Sequence, residues 1–430
     1  MDVSLTEYHA AVDALFARTT GGVKPGLERT EAILEAVGSP HRRLRVFHVA
    51  GTNGKGSVCA ALDAVLRTMG RRVGRYTSPH LGDFRERILV DGAPIPPEEV
   101  TGWLRRHDAL IARLGATFFE ATTALAFDYF VRAGVDVAVV ETGLGGRLDS
   151  TNVIEHPLAA VVTSIGLDHT DLLGDTLEKI ALEKAGIFKT GSPAVIGERD
   201  PAIAELLART ARERGASSVQ RAGEAWSVDD VRVVGGHTSF ILERDGASRR
   251  VRTPLIGTHQ AWNAAVALGA LRAAGEDWWP SASQVDAGLA KVRLAGRFQQ
   301  AGDTIFDVAH NPAGAAVLAR TLRTLAVKRP VVTLLAVLAD KDWRGMMREL
   351  ATTTGRFVLT VAPTAPAGRV WDVDEAMAFA RAEGFAVEAV RDFDAALAAS
   401  ARGAGTRVVT GSFHTVGDAM ARLQVDPLAG

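Results

Sequence analysis

The stretch FHVAGTNGKGSVCAAL, residues 47–62, decides the fold, because strand, glycine-rich turn, lysine, hydroxyl and helix follow one another in it. Val46, Phe47 and Val49 read as a short buried strand, and from Ser57 the residues Val58, Ala61, Leu62, Val65, Leu66 and Met69 recur at helical spacing. Gly51, Gly54 and Gly56 therefore sit at a strand-to-helix turn, where backbone N–H groups and the helix N-terminus favour an anion. Lys55 supplies a point charge for outer phosphates, and Ser57 or Thr52 a hydroxyl near a metal. The stretch departs twice from the general phosphate loop G-x-x-x-x-G-K-[ST]: Val49 stands at the first glycine, and Gly56 follows Lys55, with Ser57 one place late. A plain glycine-rich turn carrying a surface lysine is the competing reading. The order of the five features favours phosphate.

The remaining chain sets the frame. A length of 430 residues suggests two or three domains, and 47% hydrophobic residues suffice for large cores. A net charge of −1 gives no reason to expect nucleic acid or an anionic membrane as partner. Cys59 is the only cysteine, which excludes an intrachain disulfide and a thiolate metal cluster. The opening MDVSLTEYHA carries acids where a secretory leader carries basic residues, and no apolar run reaches the ~18 residues of a membrane span. A soluble, cytoplasmic protein is expected.

Apolar runs alternate with helical patterns, which favours α/β layers. VDVAVVE (135–141), AAVVTSI (159–165) and PAVIG (193–197) read as strands, each followed by a turn and a helix-like segment. Residues 228–256 differ: VRVV, TSFIL and RRVRT are short, interrupted by Gly and Asp, and suggest a small antiparallel addition. A helical stretch follows from about Ala261. From Thr304 a second series of buried strands begins, TIFDVA, VVTLLAV, FVLTV, FAVEAV and RVVTG. The boundary falls near 292–298. The expected architecture is a P-loop-type nucleotide-binding domain over 1–294, followed by a smaller Rossmann-like domain over 298–430.

Open α/β sheets bind ligands at the carboxyl ends of their strands. Glu141 ends VDVAVVE and precedes the mobile-looking TGLGGRLDSTN; Asp168 and His169 stand just beyond AAVVTSIG; Ser78 lies in YTSPHL after the strand-like VGRYT. Each alone reads as a cap or a satisfied surface group. Together, on the loop edge that carries Gly54 and Lys55, they read as ligands for a divalent ion. Magnesium is the default with a nucleotide; the imidazole of His169 suits softer metals, so manganese is expected to substitute.

The segment GDTLEKIALEKAGIFK (174–189) holds a second unusual lysine. Asp175 and Glu178 form a D-x-x-E helix start. At about 100° per residue, Glu178, Lys179 and Glu183 fall on one side and Leu177, Ile180 and Ala181 on the other, with Lys184 on the apolar side. Lys184 either snorkels or faces the nucleotide cleft, as a charge partner or in modified form.

GTNGKGS, YTSPHL, ETGLGGRLDSTN, GLDHTDLLGDTLEKIALEKAGIFK, HQAWNAAVA, AGRF, DVAHNP and GSFHTVGD occur in the order seen in folylpolyglutamate synthases and dihydrofolate synthases of the Mur ligase superfamily, and from about Gly26 to Asp418 the chain resembles the bacterial bifunctional members. In that family the late serine of the phosphate loop is normal. The resemblance implies that Gly51, Thr52, Asn53, Gly54, Lys55, Gly56 and Ser57 hold ATP, with Ser78, Glu141 and His169 around magnesium. It implies that Lys184 carries a carbamate, an anionic oxygen ligand in place of a buried cation. His259, Gln260 and Asn263 fall in the motif near adenine and phosphates, and Arg297 resembles an interdomain arginine that reaches ATP. Asp307 and His310, in DVAHNP, resemble residues of the second domain that close over the nucleotide. By itself AHNP is a plausible helix start, with Asn311 as cap and Pro312 in the first turn.

The implied chemistry is ATP-driven amide formation: the γ-phosphoryl passes to a carboxylate, and the amine of L-glutamate attacks the acyl phosphate. Lys55, Lys184, Arg297, Asp307 and His310 are the implied catalytic residues, His310 as candidate base. Implied partners are ATP, L-glutamate, dihydropteroate and reduced folates; a monomer is expected. TFFEATTALAFDYF (117–130) could line a pterin pocket or pack as a helix. Three alternatives stay open: folylpolyglutamate synthesis only, a cell-wall peptide ligase with the same loop and lysine, and a nucleotide-binding switch without ligase activity.

Overall fold

The computed structural model describes residues 5–18, 26–244 and 246–427; Met1–Ser4, part of the opening read above for a leader, lie outside the described residues. The first sheet contains β1 (Val46–Ala50), β2 (Val73–Tyr76), β3 (Ile88–Val90), β4 (Ala93–Pro94), β5 (Val137–Glu141), β6 (Ala159–Val162), β7 (Ala194–Ile196) and β8 (Val219–Arg221), in the order β4-β3-β2-β5-β1-β6-β7-β8. From β2 to β8 the neighbours run parallel, and β3 and β4 add an antiparallel edge. β1 is buried at every position, as a continuous apolar run in a two-sided parallel sheet must be. Its neighbours β5 and β6 are reached in opposite directions, so the crevice at their carboxyl ends opens beside residues 51–57.

The second sheet is the antiparallel meander β9 (Ser227–Val234), β10 (His237–Arg244) and β11 (Ala247–Thr253). The third comprises β12 (Gln299–Ala301), β13 (Thr304–Phe306), β14 (Val331–Leu335), β15 (Arg356–Leu359), β16 (Val387–Ala389) and β17 (Thr406–Thr410), in the order β12-β13-β17-β14-β15-β16 and parallel from β13 onward. Residues 292–298 connect the helix Ala282–Leu289 to β12. Among the described residues no helix is long and apolar enough to cross a membrane.

Several local expectations need correction. The phosphate-loop helix spans Lys55–Thr68, two residues earlier than the apolar spacing suggests, with Gly54 as N-cap at φ 90°. The later helix starts at Thr258, not Ala261. Thr176, not Asp175, caps the helix Leu177–Ala185: its side chain accepts from Lys179 N, while Asp175 pairs with the Lys179 ammonium at 2.7 Å. Leu177, expected inside, is 36% exposed because that first turn stands clear of the core; Ile180, Ala181 and Lys184 are buried as expected.

No α-helix follows β5. The loop there, which reads as mobile, is pinned by the buried Asp149, whose carboxylate accepts from Gly143 N and Leu144 N (both 2.8 Å) and from Thr151 N at 3.0 Å. Residues 118–132 form a helix capped by Thr117, with Phe118, Thr122, Thr123 and Phe127 in the core, so packing explains its apolar residues.

Candidate active site

The loop after β1 is shaped by what lies behind it. A Cβ on Gly51 would stand 1.8 Å from Thr163 Oγ1, and one on Gly54 2.7 Å from Asn263 Oδ1. Both glycines also have positive φ, so only glycine allows this close approach. Lys55 folds back over the loop and donates to Gly51 O (3.1 Å) and Thr52 O (3.2 Å), leaving its ammonium 3.8 Å from Glu141 Oε1. The Thr52 hydroxyl is engaged with the backbone of Gly166 (3.0 and 3.1 Å). Ser57 is thereby left as the loop's hydroxyl for a metal or phosphate.

A cavity of about 520 Å³ collects the residues singled out from the sequence. The first domain contributes Gly51 to Ser57, Ser78, Glu141, His169, Lys184, Gln260 and Asn263; Arg297, Asp307 and His310 face them from the linker and the third sheet. Asn263 Nδ2 donates to Gln260 Oε1 at 3.0 Å, one helical turn apart. Asp307 is held by Phe298 N and Ala309 N, both at 2.9 Å, and burial pushes its carboxyl up. Arg297 lies 5.2 Å over the Phe413 ring, and burial lowers its pKa. Asn311 caps its helix through Gly314 N, as AHNP suggests, and exchanges side-chain hydrogen bonds with Asn53 at 3.2 and 3.4 Å.

The donor set fits a divalent cation unevenly. Glu141 is 5% exposed, burial pushes its carboxyl up, and its partners are the distant Lys55 ammonium and Ser78 N at 3.3 Å. A buried carboxylate so lightly compensated suits a cation beside it. His169 has another partner: its Nε2 accepts from Lys341 Nζ at 3.1 Å, a bond it must exchange to ligate a metal. Among the described residues no group of three or more His, Cys, Asp or Glu side chains is arranged to hold a metal ion by itself, so phosphate oxygens would have to complete the shell, as is usual for magnesium with nucleotides.

Lys184 is 5% exposed, and among the described residues its amine has no hydrogen-bond or ion-pair partner. Burial, reinforced by the Lys55 charge, pushes its pKa down to about 7. Such a lysine exists in good part as the uncharged amine near neutral pH, the form that reacts with carbon dioxide.

Lys341 escaped the sequence reading, and so did the partnership that Asp168 forms with it. Lys341, just beyond β14, donates to Asp168 Oδ1 at 2.5 Å as well as to His169. Asp168, grouped from the sequence with Glu141, His169 and Ser78 as a ligand for a divalent ion, also receives Asn311 Nδ2 at 3.3 Å and faces His310 Nε2 at 3.5 Å. Burial raises its pKa, but His310, Lys341 and His169 together hold the carboxyl well below the usual range. Their signal was position, since both follow a strand's carboxyl end.

Fold and site define a ligase of the Mur type: residues 49–271 match the Mur ligase middle domain and residues 296–413 the Mur ligase glutamate ligase domain. Within that class, the chain belongs to the dihydrofolate synthase/folylpolyglutamate synthase family. It is 39% identical over 394 residues to the dihydrofolate synthase/folylpolyglutamate synthase of Mycobacterium tuberculosis, covering 86% of this chain and 80% of that one. The folylpolyglutamate synthase of M. tuberculosis solved with ADP and AMPPCP superposes with a TM-score of 0.87 at 36% identity, over 98% of this chain and 100% of the other. A bifunctional folylpolyglutamate synthase/dihydrofolate synthase solved with Mn, AMPPNP and L-glutamate gives 0.83 at 31% identity, over 98% of both chains. These similarities set aside the cell-wall ligase and the switch.

Proposed function

We propose that the enzyme joins L-glutamate both to dihydropteroate and to a reduced folate that already carries one glutamate, at the expense of ATP. The observation that carries this reading is the single cavity in which the phosphate loop and Glu141 face Arg297, Asp307 and His310. In the first step an oxygen of the acceptor carboxylate attacks the γ-phosphorus, forming an acyl phosphate and releasing ADP. In the second the uncharged glutamate amine attacks the acyl carbon; the amide forms, phosphate leaves, and the amine proton passes to a base. Phosphoryl transfer depends mainly on positioning and charge neutralisation, roles that suit Lys55 and Arg297. His310 Nδ1 lies 2.9 Å from Val308 O, an acceptor only, so Nδ1 carries a proton, and Nε2, which faces Asp168 at 3.5 Å, would have to turn from that carboxylate to take the amine proton.

Magnesium, or manganese in its place, when bound beside Ser78, Glu141, His169 and a carbamylated Lys184, would neutralise charge on the phosphates. Gln260 and Asn263 would hold the nucleotide. The two units, 1–294 and 298–430, bring ATP and glutamate together on closure and exclude water; a cytoplasmic monomer fits this reading. The test compares dihydropteroate with tetrahydropteroyl-monoglutamate at saturating ATP and glutamate. Glutamate-dependent ADP is expected with both, and an acceptor that yields none reduces the enzyme to the other activity.

A further inference from the structure

A second cavity, also of about 520 Å³, runs beside the phosphate-loop helix between Asp63 and Arg67 of that helix, Arg75 of β2 and the linker 291–300. That volume lies in the range of small-molecule sites, roughly 300–1,000 Å³. The two cavities meet at the reaction centre, because both are lined by Ser78, Glu141 and Arg297.

Its walls away from that junction are cationic. Arg67, Arg75, Lys291 and Arg293 stand against only Asp63 and Glu86. Asp63 is shared by Arg75 at 3.3 Å and Arg67 at 3.7 Å. Glu86 is occupied by the N–H groups of Leu81, Gly82 and Asp83 at 2.9, 2.7 and 2.7 Å. Lys291 and Arg293 are exposed and form no ion pair among the described residues. A positive surplus is thus concentrated here in a chain whose net charge is −1.

The chemistry of the reaction supplies a matching anion. Each glutamate added consumes one carboxylate and brings two, so a glutamylated acceptor gains one negative charge per cycle. Its terminal carboxylate must lie at Glu141 and Arg297, and the α-carboxylates left behind must be placed somewhere near by. Resting on the ligase reading above, we propose that this cavity holds the γ-glutamyl tail of a glutamylated acceptor, with Lys291 and Arg293 meeting its α-carboxylates.

The test measures KM for dihydropteroate, tetrahydropteroyl-monoglutamate and tetrahydropteroyl-triglutamate in the full-length enzyme and in Lys291→Glu/Arg293→Glu. KM for the triglutamate is expected to rise tenfold or more, while KM for dihydropteroate and ATP stays within twofold; Lys291→Arg behaves as wild type. Added salt should weaken triglutamate use more than dihydropteroate use, because exposed charges are screened. An equal effect on all acceptors, or a rise in KM for free glutamate instead, overturns the assignment, as does a wild-type enzyme that never extends a glutamylated acceptor. A wild-type enzyme that uses no acceptor at all removes the ligase reading itself. The cavity is then judged by direct binding, where equal affinity for pteroate and pteroyltriglutamate overturns it.

Discussion

Lys341 and Asp168 are joined across the interdomain cleft at 2.5 Å, with side chains only 7% and 9% exposed. One partner follows a strand of the third sheet and the other a strand of the first, so this contact helps hold the two halves of the site together. Removing the cation leaves a buried carboxylate served by the backbone N–H of His169, by Asn311 and by His310. Breaking a buried pair costs about 3–5 kcal/mol, and the remaining partners place Lys341→Ala near 3 kcal/mol. Denaturant unfolding should show that loss, and small-angle scattering a more open molecule. Wild-type values in both would mean that the ion pair does not hold the closure.

Lys55 touches only loop carbonyls and the edge of Glu141, and contributes to no hydrophobic core. Lys55→Ala is therefore expected to keep the wild-type Tm within a few degrees while turnover falls on the order of a hundredfold or more, the usual cost of losing a charge that stabilises a transition state. Glu141→Ala should fall similarly. Since it deletes a buried carboxylate that burial destabilises, it should unfold no more readily than wild type. Near-normal rates in either variant would remove these residues from the reaction.

The fold was legible wherever one element has one dominant signal. The apolar run of β1, the glycines after it and the helical spacing from Val58 all agree, and the turns of the meander 227–253 are marked by Gly and Asp, although its strands, read as short, run to seven or eight residues. Side chains that act through distant partners were not legible. Asp149 gives no local sign that it will fasten the loop of Gly143 and Leu144, and Lys341 is an ordinary polar residue until folding brings it to Asp168, 173 positions away. Cap choice failed for a related reason. Asp175 and Thr176 are both good caps, and it is Thr176 whose side chain accepts from Lys179 N.

His48 is fully buried in β1, its Nε2 lying 2.8 Å from Thr151 Oγ1, and burial pushes its pKa down to about 3. In the unfolded chain a histidine titrates near 6.5. Between those values the unfolded state binds the extra proton, so the stability present above about pH 6.5 is lost as pH falls toward 3, at about 1.4 kcal/mol per pH unit. Replacing His48 by Gln should flatten that slope between pH 6.5 and 4 in urea titrations. An unchanged slope would assign the acid sensitivity to other groups.

Lys184 offers the sharpest chemical test, because its burial and its lack of a partner among the described residues suit the proposed carbamate. With its pKa pushed to about 7 by burial and by the Lys55 charge, a substantial share of the amines is free at neutral pH, against well under a thousandth for an exposed lysine of pKa near 10.4. The free amine adds to carbon dioxide to give a carbamic acid, which loses its proton; both the amine and the product are favoured as pH rises. Carbamate occupancy should therefore fall as pH drops below 7 and recover above it. Carbon-13 NMR with labelled bicarbonate measures it directly, as a carbamate resonance present in wild type and missing in Lys184→Ala. That variant should lose most activity and regain part of it with acetate, a small carboxylate able to enter the space the side chain leaves. A fully active enzyme without the resonance would refute the modification, and the effect of Lys184→Ala would then measure the bare charge alone.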